Sequence, residues 1–111
     1  MKVIQKPWGR EEWYEVNDKY VLKMLVVAPN QRLSLQYHEK KLETMMCLEG
    51  YGTLTLDETN YLMDRGSVYT IHPGQKHRLT AGNCVLKIIE TSTPELEDVV
   101  RIEDDYDRKS N

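Results

Sequence analysis

Turn-forming clusters punctuate the chain about every eight to twelve residues, a spacing that leaves room for strands and almost none for helices. They fall at "APN" from Ala28, "HEKK" from His38, "EGYG" from Glu49, "DETN" from Asp57, "DRGS" from Asp64, "HPGQ" from His72 and "AGN" from Ala81. Between them lie "YVLKMLVV", "LSLQYH", "TMMCLEG", "GTLTL", "NYLM", "SVYTI", "HRLT" and "CVLKIIE", runs of four to eight residues rich in β-branched, aromatic and aliphatic side chains. Such a pattern specifies an all-β antiparallel sandwich or barrel. The 111 residues suffice for one small core, so residues 1–111 are expected to form a single domain. Composition changes only after Glu90: "PELEDVVRIEDDYDRKSN" is densely charged, and the acidic segment 93–111 is expected to pack on the barrel or extend from it.

Charge narrows the partners. The net charge is -3, and basic residues are interspersed with acidic ones, so no clustered stripe suits a phosphate backbone and no nucleic-acid partner is expected. No apolar run approaches the roughly 20 residues that span a bilayer, and "MKVIQKPWGREEW" lacks the apolar centre of a signal peptide. The expectation is a soluble cytoplasmic protein with no membrane partner. Cys47 and Cys84 stand far apart inside apolar runs, as small reduced thiols do.

Several strands are apolar on both faces. Leu33, Leu35 and Tyr37 alternate with Ser34, Gln36 and His38, while Met46 and Leu48 oppose Glu43, Met45 and Cys47. A monomeric barrel needs only one dry face, so the pattern predicts a homodimer that buries the second face. The alternative is that "VIQKPWGREEWYEV" covers it.

The same alternation places Gln36 and His38 on one face of a strand. A turn at Glu39 to Lys41 then returns the chain so that Glu43 on the next strand falls near His38, and "HPGQKHRL" supplies His77 after another turn. Two imidazoles, a carboxylate and an amide oxygen form a mixed nitrogen and oxygen set suited to zinc, manganese, iron, cobalt or nickel. Taken singly, each residue also reads as an ordinary half-buried polar group. Together inside an apolar barrel they would each need a partner, because an unpaired buried polar group costs about 2–7 kcal/mol on transfer scales.

The spacing Gln36-x-His38, then Glu43, Gly50, Gly66, Gly74 and His77 resembles the two cupin motifs, with Gln36 where a first histidine is common. More specifically, "KPWG", "LSLQYH", "HRL", "IIE" and "LEDVVRIEDDYDR" resemble the C-terminal cupin domain of type II mannose-6-phosphate isomerases, often fused behind a mannose-1-phosphate guanylyltransferase. The likeness runs over nearly the whole chain but includes no guanylyltransferase part. It implies a double-stranded β-helix (jelly-roll) barrel, a divalent metal ion (zinc, manganese, cobalt, nickel or iron) held by Gln36, His38, Glu43 and His77, and a sugar phosphate as the small-molecule partner.

The implied chemistry is aldose-ketose isomerisation through an enediolate, which needs an electrophile, a base and a phosphate clamp. Lys41, Glu43 and His72 are the candidates for acid and base work, and Lys41, Arg78, Lys87 and Arg101 for phosphate contact. The chain also departs from the family's pattern. Glu39, Lys40 and Lys41 replace two histidines and an arginine, Thr44 and Met45 replace a His-Trp pair, and Asn30 replaces a glycine, a mild change because asparagine tolerates positive φ. Lys41 keeps the charge but not the planar fork of arginine. These departures keep two other readings in view: a cupin that binds a sugar or nucleotide sugar without turning it over, and a small non-haem iron oxygenase using His38, Glu43 and His77.

Overall fold

The computed structural model describes residues 1–108; Lys109, Ser110 and Asn111, the end of the expected 93–111 segment, lie outside the described residues. Eleven strands form: β1 Lys2–Lys6, β2 Gly9–Val16, β3 Val21–Val27, β4 Leu35–Tyr37, β5 Glu43–Glu49, β6 Tyr51–Leu56, β7 Thr59–Asp64, β8 Val68–Ile71, β9 His77–Ala81, β10 Leu86–Ser92 and β11 Val100–Glu103. No helix occurs among the described residues, and so none long and apolar enough to cross a membrane. Every pairing is antiparallel, in one sheet ordered β1-β2-β3-β10-β5-β8 and a second ordered β11-β4-β9-β6-β7. This is the all-β double-stranded β-helix.

Turn chemistry sets the register. Asp57 and Glu58 form a two-residue hairpin loop with φ of 46 and 72, and β6 pairs β7 directly across it at Leu56 and Thr59. Asn30 adopts φ 63, the conformation its place in the sequence required. Gly9 has φ 152, and a Cβ there would stand 2.0 Å from the Val26 carbonyl oxygen, so only glycine lets β2 lie this close to β3.

The dry core lies between the sheets. Leu54, Met63, Ile71, Leu79, Leu86 and Ile88 are fully buried, each contributing about 1.5–3 kcal/mol through burial. Towards β1 to β4 the sandwich opens into a cavity of about 490 Å³ whose lining mixes charged with apolar side chains. The N-terminal segment does not cover a sheet face: it forms the hairpin β1/β2 and lengthens the six-stranded sheet at its edge. The C-terminal segment adds β11 beside β4 in the other sheet.

Candidate metal centre

Strand alternation and one antiparallel pairing assemble the site. Gln36 on β4 lies directly opposite His77 at the start of β9. His38 follows β4, and the turn after it leads into β5 at Glu43. Glu43 Oε1 stands 3.3 Å from His38 Nε2 and 3.2 Å from His77 Nε2, and all three residues are buried. Their donor atoms lie within 4.8 Å of one another.

The other ring nitrogens decide the tautomers. His38 Nδ1 meets the main-chain carbonyl of Asp98, and His77 Nδ1 meets that of Gln75 at 3.0 Å. A carbonyl accepts only, so each ring donates from Nδ1, and a neutral ring then presents a lone pair at Nε2. Three acceptors thus converge on the buried wall of the cavity. Two protons or one cation must lie between them, and the neutral-imidazole and carboxylate set fits a divalent ion. When the rings instead carry a proton at Nε2 and donate to Glu43, burial works against the carboxylate charge, but His38, His77 and then Lys41 outweigh it and hold the carboxyl well below its usual range.

Around this triad, Lys41 is buried with Nζ 3.6 Å from Glu43 Oε2. Gln36 lines the cavity and donates its amide to Ser34 Oγ at 2.9 Å. Arg78 lines it as well, but its guanidinium is engaged with the Leu33 carbonyl at 3.0 Å and with Glu103. Arg101 stands beside Gln36 in register and faces the same space.

Two expected site residues lie elsewhere. His72 is exposed in its turn, where its main-chain N–H donates to Gln75 Oε1, and does not line the cavity. Lys87 points to the outward face of the six-stranded sheet and pairs with Glu49 at 3.1 Å. Alternation also corrects the weight given to Thr44. With Glu43 and Met45 turned into the cavity, Thr44 points outward and shares a hydrogen bond with Thr70, so an imidazole at that position would face away from the triad.

Sequence reasoning passed over a buried ionic row on the inner face. Lys23 Nζ on β3 lies 3.2 Å from Glu11 Oε1 on β2 and 3.5 Å from Glu90 Oε1 on β10, and Trp13 donates to Glu11 at 2.8 Å. Burial disfavours the Lys23 ammonium, but Glu90 and Glu11 outweigh it and raise its pKa. Glu90 is pushed up to about 7, first by burial and then by the Glu43 charge, with Lys23 and Lys41 opposing. The signal was available: within "VLKMLVV" and "LKIIETS", Lys23 and Glu90 are the charged members of the inward sets, in line with Val21, Leu25 and Val27 and with Leu86 and Ile88.

Asp98 was passed over too, with no local signal. Its carboxylate accepts the N–H groups of Glu39 at 3.0 Å, Lys40 at 2.7 Å and Lys41 at 3.0 Å, while its own carbonyl holds His38. Burial opposes the Asp98 charge, but those three N–H groups keep its pKa lowered. The Asp98→Ala variant is expected to bind a divalent ion about 10–100-fold more weakly, because the carbonyl that orients His38 loses its anchor. Competition titration with a metallochromic chelator measures this, and unchanged affinity would assign Asp98 to the turn alone.

The comparisons agree with this architecture. The family model described as mannose-6-phosphate isomerase C-terminal matches residues 1–104. The alginate biosynthesis protein AlgA of Pseudomonas aeruginosa is 29% identical over 109 residues, and the mannose-1-phosphate guanylyltransferase ManC of Salmonella typhimurium is 33% identical over 110. Each alignment covers 95% of this chain and 23% of the relative, so the chain spans about a quarter of their length. An RmlC-like cupin protein from Desulfovibrio desulfuricans superposes with a TM-score of 0.68 at 20% identity, over 76% of this chain and 80% of that one. With its double-stranded β-helix and its His38, Glu43 and His77 triad, this chain belongs to the mannose-6-phosphate isomerase C-terminal family of cupin domains.

Proposed function

We propose that the barrel interconverts the aldose and ketose forms of a phosphorylated sugar, with a divalent ion on His38, Glu43 and His77 and with Gln36 beside them. The observation that carries this reading is the convergence of three buried acceptor atoms on the wall of a cavity of sugar size to which Lys6, Lys41, Arg101 and Arg108 also contribute. When bound, the ion would supply Lewis-acid polarisation of the substrate oxygens.

The chain's own residues supply the rest. Lys41, at 3.6 Å, holds Glu43 Oε2 and keeps that carboxylate oriented. Glu90 lines the same cavity as a buried carboxyl with a pKa of about 7, the value a base needs to take and return a carbon-bound proton near neutral pH. His72, exposed in its turn, is not assigned a part in proton transfer.

The phosphate end falls to Lys6, Arg101 and Arg108, which line the cavity together. After burial, neighbouring cations are part of what lowers the pKa of Lys6 and Arg101. A bound dianion relieves that repulsion.

The test is proton exchange. In deuterated water, metal-loaded protein is expected to introduce deuterium at C2 of mannose 6-phosphate and at C1 of fructose 6-phosphate. Glu90→Gln should slow this about 10²–10⁴-fold without loss of metal. Binding of the sugar phosphate with no exchange would replace the isomerase reading with that of a binding module.

A further inference from the structure

We propose that the Trp13 indole is the platform against which the closed pyranose ring of the sugar phosphate lies, so that the site takes up the ring form in preference to the open chain. This rests on the reading of the cavity as a sugar-phosphate site. The sequence holds two tryptophans, and the fold uses them differently. Trp8 is 2% exposed and belongs to the core, whereas Trp13, on β2, lines the cavity and is only half-buried.

The indole is fixed before any ligand arrives. Its Nε1–H donates to the buried Glu11 carboxylate at 2.8 Å, and the Lys2 ammonium stands over one face, 5.3 Å from the ring centre. A side chain already held this way loses little freedom when a ligand stacks on its other face. Register places Trp13, Lys23 and Glu90 in one row across β2, β3 and β10, so the indole stands two strand spacings, roughly 10 Å, from the carboxyl assigned to proton transfer. Glu11, which holds the indole, also lies 3.9 Å from Lys6 at the phosphate end. A hexose with C2 at Glu90 and its phosphate at Lys6 therefore carries its ring past Trp13.

The surroundings match the two-sided chemistry of that ring. A pyranose chair has an apolar face of axial C–H bonds and a rim of hydroxyls. Ile4 and Leu25, both opposite Glu11 in the adjoining row, line the cavity beside Trp13, while Ser34, Gln36 and Arg78 line it from the side of β4 and β9. An open-chain polyol presents no flat apolar face to the indole, and so gains neither the buried area nor the stacking.

Two compounds that cannot isomerise separate ring from chain: 1,5-anhydromannitol 6-phosphate, locked as a pyranose, and mannitol 1-phosphate, which is acyclic. Titration calorimetry of metal-loaded protein measures both affinities without turnover. The unsubstituted protein is expected to bind the cyclic compound about tenfold or more tightly than the acyclic one. Trp13→Ala should weaken the cyclic compound about tenfold and leave the acyclic one within about twofold. Trp13→Leu, which keeps an apolar side chain but no flat face, should act in the same direction, and it decides the matter if the alanine variant loses its cooperative thermal transition. Tyr14→Ala, at an exposed neighbour outside the cavity, should change neither affinity. Unchanged cyclic affinity in both Trp13 variants would overturn the platform and leave the sugar-phosphate reading standing. An equal loss for both compounds would overturn it too, and reduce Trp13 to packing. Binding of neither compound by the unsubstituted protein would overturn the platform together with that reading.

Discussion

Protein purified with divalent metal in the medium is expected to carry close to one ion per chain, and His38→Ala and His77→Ala should each reduce this below about a tenth. The size of the effect follows from the geometry of the triad. Each histidine contributes one Nε2 lone pair at 3.2 to 3.3 Å from the Glu43 carboxylate, in a buried position on the cavity wall. A water entering from the cavity is a weaker and unanchored ligand than an imidazole fixed through its Nδ1, so each variant loses a ligand and the packing that orients the remaining two. Elemental analysis by mass spectrometry of the three proteins decides it. Metal retained in both variants would place the ion elsewhere. Its absence from the parent protein after reconstitution would leave the triad as a protonated ion pair of two imidazoles on one carboxylate. Iron as the resident ion would direct attention to oxygen chemistry on the same residues.

Lys23→Met should destabilise the fold by about 3–5 kcal/mol, the usual cost of stranding a buried charge. Lys23 is the shared cation of Glu11 and Glu90, and all three side chains lie out of solvent. Without it, Glu11 keeps only Trp13 and a 3.9 Å contact with Lys6, while Glu90 keeps no ion-pair partner from the row.

The sign of the pH dependence is fixed by this loss. A carboxyl whose folded pKa is raised binds its proton more tightly when folded than when unfolded, so stability falls as pH rises from the unfolded value of about 4.5 through the folded one. In the parent protein Glu90 already behaves this way up to about 7. In Lys23→Met both carboxylates should do so. The deficit against the parent should therefore be largest at neutral pH and shrink as pH falls towards about 4.5. Urea unfolding at several pH values measures it, and Lys23→Met/Glu90→Met should recover the share of the loss that belongs to Glu90, since an apolar pair fills that space without charge while Glu11 still lacks its ammonium partner. A pH-independent deficit would mean that lost packing, not charge, explains the effect.

Much of the site was visible in local sequence. Alternation put Gln36 and His38 on one face, a short turn brought Glu43 back, and a second turn supplied His77. What failed did so for identifiable reasons. Thr44 is one residue from Glu43, yet the period of two sends it to the opposite face. His72 and Lys87 are polar side chains near the site in sequence, but a turn tip carries one into solvent and the pleat carries the other outward.

The sequence by itself determined the strands, the turns and the facing of each side chain along its own strand, because those depend on backbone geometry over a few residues. It could also mark Lys23 and Glu90 as charged intruders in inward positions. Only the tertiary structure decided that they meet. The sheet order runs β2-β3-β10-β5, so Glu11, Lys23, Glu90 and Glu43 become neighbours through pairings between strands remote in the chain. The same holds for Asp98, sixty residues from the histidine whose ring it orients. Period-two alternation is a local property of a strand. Which strands lie side by side is set by the burial of the whole sandwich, and no stretch of sequence contains that information alone.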